Sequence, residues 1–136
     1  MAEQKKMTPH PVEVTLSIIG GKWKPLIVFY LLSGTKRFSE VRRFLPQATQ
    51  QMLTMQLREL EQAGVLHRHV YAQVPPKVEY SLTELGQSIA PVLRQMCSWG
   101  EWYSEQMGLE FQRLIPEAEA HLEKQHGPRT LITQAE

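Results

Sequence analysis

The spacing of apolar residues changes from a helical period to a strand period near the middle of this chain of 136 residues. Up to Gly64 the apolar side chains recur every three or four positions, as they do on one face of a helix. Residues 66–73 and 78–82 then alternate between two faces, which is typical of short strands. Helical spacing returns after Thr83. We therefore predict a mainly α (α+β) fold in which helices flank a two-stranded antiparallel ribbon.

Two helices are predicted at the start. Pro11 begins the first, because proline lacks the N–H that a helix start leaves unsatisfied. Gly20 and Gly21 end it, and its apolar face consists of Val12, Leu16 and Ile19. Pro25 opens the second helix, which is apolar on most sides and is therefore predicted to be the central core helix.

Two further helices precede the ribbon. The third fits residues 38–45, and Pro46 ends it because a proline disfavours helical geometry in the residue before it. Thr49 is a suitable N-cap for the fourth, which Gly64 closes. Its apolar stripe has a spacing of three to four residues: Leu53, Leu57 and Leu60.

The C-terminal part is predicted to be helical again. Thr83 caps a long final helix, which Pro91 kinks. Its inner face is predicted to contain Leu85, Ile89, Val92, Met96 and Tyr103, widened by Leu93, Trp99 and Trp102. Residues 109–123 are a further candidate helix after Gly108. The predicted organisation is a flexible tail at 1–8, a folded domain at 9–108, and a C-terminal helical extension and loose tail at 109–136.

Composition excludes several classes of protein. The one cysteine, Cys97, rules out an internal disulfide and a zinc site built on two or four cysteines, and it suits a reducing compartment. No apolar stretch follows Lys5 and Lys6, so a signal peptide is not indicated. The longest apolar run, residues 26–32, is too short to cross a bilayer. We therefore expect a soluble, cytoplasmic protein with no membrane partner.

Charge is unevenly distributed although the formal net charge is only +1. Residues 1–80 contain eleven Lys or Arg against six Glu, whereas residues 81–136 contain four against eight. Such a difference between halves indicates a polyanionic partner for the basic half. Chance is an equally good explanation of this feature taken alone.

The third and fourth helices, joined by a tight turn, form a candidate helix-turn-helix, and the ribbon is placed like its wing. Exposed residues of the fourth helix could read bases, since Gln pairs with adenine and Arg with guanine: Gln50, Gln51, Thr54 and Arg58. Basic residues nearby could contact DNA phosphates: Lys36, Arg37, Arg42, Arg43 and, at the wing tip, Lys77. Each feature alone also fits an ordinary solvated surface, so the prediction depends on their conjunction.

Several runs of residues resemble the HxlR-type regulators, a branch of the MarR-like winged helix-turn-helix proteins. The resemblance spans residues 9–108. The runs that carry it are Pro11-Val12-Glu13, Ile19-Gly20-Gly21-Lys22-Trp23-Lys24, Arg37-Phe38-Ser39-Glu40-Val41-Arg42-Arg43, Met52-Leu53-Thr54, Gln56-Leu57-Arg58-Glu59-Leu60-Glu61 and Val74-Pro75-Pro76-Lys77-Val78-Glu79-Tyr80-Ser81-Leu82-Thr83. It implies a homodimer, joined through its first and last helices, that binds an inverted-repeat operator in double-stranded DNA, usually as a repressor.

The resemblance fails at one functional position. Many proteins of that type carry a sensing cysteine just before the Pro-Val-Glu run, where this chain has His10. A thiol switch at that place is therefore not expected, and Cys97 is predicted to be a packed structural cysteine. A small-molecule effector pocket near the dimer interface is a further hypothesis, and its candidate lining is Trp23, Trp99, Trp102 and Tyr103.

Three other functions compete with DNA binding. A metal sensor could use His67 and His69, which share one face of a strand, but it needs further ligands from His10, His121 or a second subunit. A protein-interaction module on the same scaffold is also open. An enzyme is not indicated, because the chain has no Asp, no Gly-rich phosphate loop and no nucleophile elbow, and Glu59 and Glu61 form no evident acid–base pair. No cofactor or bound metal is expected.

Overall fold

A computed structural model describes residues 9–111. The predicted tail at 1–8 and the predicted helical extension beyond residue 111 lie outside the described residues. The elements follow one another as α1 Pro11–Ile19, α2 Lys24–Leu31, β1 Lys36–Arg37, α3 Phe38–Phe44, α4 Gln50–Gln62, β2 Leu66–Tyr71, β3 Lys77–Leu82, α5 Glu84–Gln87 and α6 Ala90–Met107. The predicted helix–strand–helix order is confirmed.

Helix α2 forms the centre of the core, as its apolar surface predicts. Most of its side chains are buried, among them Ile27, Val28 and Leu31. Lys24 at its start ties it to α4 through a salt bridge of 2.7 Å with Glu59. Within residues 9–111 no single helix is long and apolar enough to cross a membrane; α1 and α2 reach that length only as a pair bent by 74°.

The sheet has three strands rather than the predicted two. Strands β2 and β3 pair antiparallel from Leu66 opposite Leu82 to Tyr71 opposite Lys77. The two residues of β1 add to the other edge of β3, with Lys36 opposite Tyr80. Two residues are too few to show an alternating pattern, so β1 has no recognisable signal in the sequence. The wing is thereby hydrogen-bonded to the segment that leads into α3.

The base of the wing is tied to the end of α4. Gly64 ends that helix with φ +81°, a left-handed conformation that favours glycine. The hydroxyl of Thr83 donates to the Gly64 carbonyl at 2.6 Å and accepts from the Gly86 amide at 3.0 Å. One side chain therefore caps α5 and joins it to the end of α4.

The predicted long final helix is two helices. Helix α5 ends at Gln87, and Pro91 lies in the first turn of α6, where its missing N–H is harmless, so it starts a helix rather than kinking one. The predicted inner face was wrong for the single chain, because most of its members are exposed: Leu85, Val92, Met96 and Tyr103. Ala90 and Leu93 face the core instead, and Cys97 packs against it half-buried, as predicted.

Candidate nucleic-acid interface

Helix α4 is held against the core by one face and projects the other into solvent. Leu53, Leu57 and Leu60 are fully buried, which confirms the predicted stripe. Thr49 caps the helix as predicted, because its hydroxyl accepts from the Met52 amide at 3.1 Å. Ala48 is buried in the turn from α3. These contacts fix both the start of α4 and its rotation about its own axis.

The four residues predicted to read bases lie together on this exposed face. Gln50, Gln51, Thr54 and Arg58, called the reading face below, line one open groove along α4. Met55, Glu59 and Gln62 complete its lining. The reading face therefore presents amides near the N-terminus of α4 and a guanidinium two turns further on.

Two hydrogen bonds restrict what the reading face can offer. Arg42 of α3 donates from Nη1 to Oε1 of Gln50 at 3.2 Å, across the helix-turn-helix. The Gln50 side-chain amide keeps its own donors for a ligand. The Thr54 hydroxyl donates to the Gln50 backbone carbonyl at 2.8 Å, so Thr54 offers acceptor lone pairs and a methyl group rather than a donor.

The predicted phosphate-contacting cations occupy different environments. Arg42 and Arg43 are exposed in the last turn of α3, where positive charge also suits the helix dipole. Lys36 is half-buried, and its ammonium lies 4.9 Å from the centre of the Tyr30 ring. Arg37 is exposed in β1, opposite Glu79 of the wing. Lys36 is thus partly engaged inside the protein, whereas the three arginines face solvent.

Lys77 at the wing tip is paired within the protein. Its ammonium lies 2.9 Å from Oε1 of Glu79 and 4.7 Å from the centre of the Tyr71 ring, and the Tyr71 hydroxyl is 3.2 Å from Oε2 of the same carboxylate. The hydrogen bond from Lys77 holds the pKa of the Glu79 carboxyl below its ordinary value. Loss of hydration opposes this lowering, whereas the Tyr71 hydroxyl and the charge of Arg37 support it.

The histidines considered as metal ligands lie on the same wing face. The ring centres of His67 and His69 are 6.1 Å apart, and His69 meets Tyr71 edge to face at 4.4 Å. Among residues 9–111 no three His, Cys, Asp or Glu side chains are grouped closely enough to hold a metal ion. The geometry thus places these histidines in an aromatic row along β2.

Arg68 is a basic residue of this surface that sequence reasoning missed. It shares its side of β2 with Leu66 and Val70, the side paired with Tyr80 of β3. Together with Arg58 it lines a small cleft where α4 meets the wing. The sequence did offer one signal: Arg68 is a charged residue in step with the apolar residues of β2, where an apolar side chain is expected.

Three of the four aromatic residues predicted to line an effector pocket lie together on α6, and Trp23 makes no ring contact with them. Trp23 is buried in the core, and its ring contact is with the Lys22 ammonium at 4.7 Å. Trp99 stacks on Tyr103 at 5.3 Å and lies 6.3 Å from Trp102, on α6. An apolar cleft of about 210 Å³ lies elsewhere, between α1 and the α5–α6 junction.

Helices α1 and α6 expose apolar side chains to solvent. Val12 is 60% exposed and Trp99 is 53% exposed. Large apolar groups of these two helices, each 41–60% exposed, are together called the apolar face below: Val12, Leu16, Val92, Met96, Trp99 and Tyr103. A surface of this kind indicates association with another macromolecule.

His10, at the position of the expected sensing cysteine, begins α1. Its Nδ1 accepts from the Val12 amide at 3.1 Å, and its own amide donates to the Glu13 carboxylate at 3.0 Å. This reciprocal pair is a capping box, in which each side chain satisfies one free amide of the helix start. The position thus serves helix capping in this chain.

Comparisons with known proteins agree on one class. Residues 18–108 match the model of a family described as HxlR-like helix-turn-helix. The HTH-type transcriptional regulator YdeP of Bacillus subtilis is 59% identical over 97 residues, which cover 71% of this chain and 76% of YdeP. YybR of the same organism, also described as an HTH-type transcriptional regulator, is 55% identical over 105 residues, 74% of this chain and 84% of YybR. The solved structure of the redox regulator HypR in its reduced form is similar with a TM-score of 0.70 and 55% identity, over 73% of this chain and 98% of that one.

Proposed function

This chain belongs to the HxlR-like helix-turn-helix family of DNA-binding transcriptional regulators, and we propose that it acts in the cytoplasm as a homodimeric repressor on an inverted-repeat operator. It works by binding DNA rather than by catalysis. HypR is a redox regulator, but we do not extend redox control to this chain, because His10 caps a helix at the position expected for a sensing cysteine.

The observation that carries the proposal is the reading face of α4. Its N-terminal turns expose Gln50, Gln51 and Thr54 while three leucines lock the opposite side into the core. A recognition helix of this kind enters the major groove with its N-terminal residues against base edges. Gln50 and Gln51 are then the adenine readers, and Thr54 offers its methyl to thymine. Arg58, the fourth predicted member, lies two turns further along the groove, beside the wing.

Basic residues on both sides of α4 support the same placement. Arg42 and Arg43 on α3 and Arg37 on β1 are exposed and carry the charge that neutralises phosphates. Lys77 contacts the DNA backbone from the wing tip when a phosphate replaces Glu79 as its partner. Because these contacts depend on charge alone, they position the protein without selecting a sequence.

Dimerisation is supported by the apolar face. A second copy that pairs α1 and α6 with their counterparts would remove these side chains from water, and its two-fold symmetry matches an inverted repeat. The two recognition helices of such a dimer read half-sites about 34 Å apart along the duplex. A small-molecule effector is proposed to act near this interface, where the apolar cleft between α1 and the α5–α6 junction offers space.

The test is a binding titration with duplex DNA from upstream of the gene that encodes the protein and of its neighbours, against scrambled duplexes, over a series of salt concentrations. We expect a specific dissociation constant of about 10⁻⁸ M or lower for one duplex. Affinity should fall with salt for both, and the slope reports the number of phosphates contacted. Failure to bind any duplex at low salt would overturn the proposal and would favour a protein-interaction module.

A further inference from the structure

A small cleft lies between α4, from Thr54 to Glu61, and the two strands of the wing. Its volume is about 140 Å³, and its lining comes from both elements: Thr54, Arg58, Glu61, Arg68 and Tyr80. One water needs about 10–15 Å³ of such space, so the cleft has room for a compact ligand group as well as water. It is the place where the reading face and the wing meet.

Two guanidinium groups line this cleft. Neither Arg58 nor Arg68 makes a side-chain hydrogen bond or ion pair with any of residues 9–111, whereas Lys24 and Lys77 each pair with a glutamate. Glu61 also lines the cleft but is not in salt-bridge contact with either arginine. Two arginines and one glutamate give the cleft a net charge of +1, which one monoanion would balance.

We propose that Arg58 and Arg68 together hold a single backbone phosphate of DNA between the recognition helix and the wing. The inference rests on the proposed function and assigns a different role to Arg58, which becomes a phosphate ligand rather than a guanine reader. Guanidinium groups match phosphate oxygens with paired N–H donors. The charge of a phosphodiester, −1, equals the charge that the cleft lacks.

The remaining groups of the cleft fit this ligand. Tyr80 is buried, and its hydroxyl has no hydrogen-bond partner among the described residues, so it can donate to the same phosphate. The Thr54 hydroxyl is already used by the Gln50 carbonyl and contributes no donor. The Glu61 carboxylate repels a bound phosphate and therefore lowers the affinity of the cleft for it. Glu61→Gln should remove this repulsion.

The experiment is a scan of the bound duplex with single methylphosphonate substitutions, each of which removes one backbone charge. In each half-site, one methylphosphonate should lower the affinity of the wild type. The same substitution should not lower the affinity of Arg58→Ala or Arg68→Ala any further. Arg43→Ala, which removes an exposed cation from α3, should keep that sensitivity. Arg68→Gln removes the charge but keeps a polar side chain. Thermal melting of each variant then shows whether it is still folded, which separates loss of the phosphate contact from loss of the fold. Glu61→Gln should bind unmodified DNA more tightly than the wild type.

Salt dependence supplies the second readout. Each single variant should lower the slope of log affinity against log salt by about 0.9, the value for one phosphate, and the double variant should lower it by no more. A double variant that lowers the slope twice as far would show separate phosphates and would overturn the proposal. The proposal would also be overturned if Arg58→Ala changed the preferred base at one position and left the salt slope unaltered. If no duplex binds, both this inference and the proposed function fail; if DNA binds without these effects, the inference alone fails.

Discussion

The reading face and the apolar face are both exposed in the single chain, but their exposure has opposite meanings. Water satisfies the side-chain amide of Gln51, and water together with Arg42 satisfies that of Gln50, so this polar helix face is stable in solvent until DNA replaces the water. Water does not stabilise Val12 or Trp99, because apolar surface is driven out of it. The polar face is therefore stable in one chain, whereas the apolar face is the surface that we propose a second copy covers.

The largest effect is expected from a charge on the apolar face. Trp99→Glu places a carboxylate where a second copy should pack, and a buried unpaired charge strongly disfavours association. We expect a monomer in sedimentation equilibrium and a loss of operator affinity of about 10²-fold or more, because joined half-sites gain that much from each other.

The matched control for this change is Gln87→Glu. It adds the same carboxylate at an exposed position of α5, outside the apolar face. This variant should remain a dimer and should bind operator DNA like the wild type. A dimeric Trp99→Glu protein with full affinity would show that the apolar face has some other partner.

The next effect is expected on the reading face. Gln50→Ala removes one bidentate contact to a base, which is worth about 1–3 kcal/mol of discrimination. Affinity for the operator should fall by that amount, while affinity for scrambled DNA should stay unchanged. Gln62→Ala changes the same residue type at the far end of the same groove and should have little effect. Equal losses on both duplexes would place Gln50 on the backbone instead of a base.

A smaller effect is expected from the cap that orients the reading face. Thr49→Ala removes the hydroxyl that accepts from the Met52 amide, and loss of such a cap costs about 1 kcal/mol of the free energy of unfolding. Thr49→Ser keeps the hydroxyl and should restore the stability in denaturant titrations. If Ser and Ala are equally unstable, the methyl group rather than the cap is responsible.

The smallest effect is expected at the wing tip. The pKa of Glu79 is lowered in the folded protein, so its contribution to stability is present at neutral pH and is lost as the pH falls below about 4.3, the ordinary value for glutamate. Glu79→Gln should flatten this acid-side dependence and free Lys77 for phosphate, raising DNA affinity at low salt. The gain should shrink in about 0.15 M salt or more, because salt screens charges that water partly reaches. An unchanged profile of stability against pH would exclude the pairing.

The helices could be predicted because their signals are local. Pro11, Thr49 and the three leucines of α4 all act within a few residues of one chain segment, and each lies where the sequence placed it. Strand β1 and the cleft of Arg58 and Arg68 depend on contacts between distant segments, which no local pattern encodes.

The apolar stripe of the last helix shows a different limit of sequence reasoning. A period of 3.6 reveals that one face of α6 is apolar, but it does not reveal whether the core or another molecule covers that face. Trp99 and Met96 follow the stripe and are exposed, whereas Leu93 is buried beside them. The division between them is decided by how α6 lies on α2, which is a property of the whole fold.

The anchoring of the wing at its base leaves its tip free to change in length. Strand β1 holds β3 on one edge, and Thr83 fastens the far end of β3 to the end of α4, so the register of β2 against β3 is set away from the tip. Residues 72–76 form the exposed loop between the strands. An insertion there would extend the reach of the wing along the duplex and leave the recognition helix at the same angle. Altering this one loop would therefore change how far the backbone contacts extend beyond the bases that α4 reads.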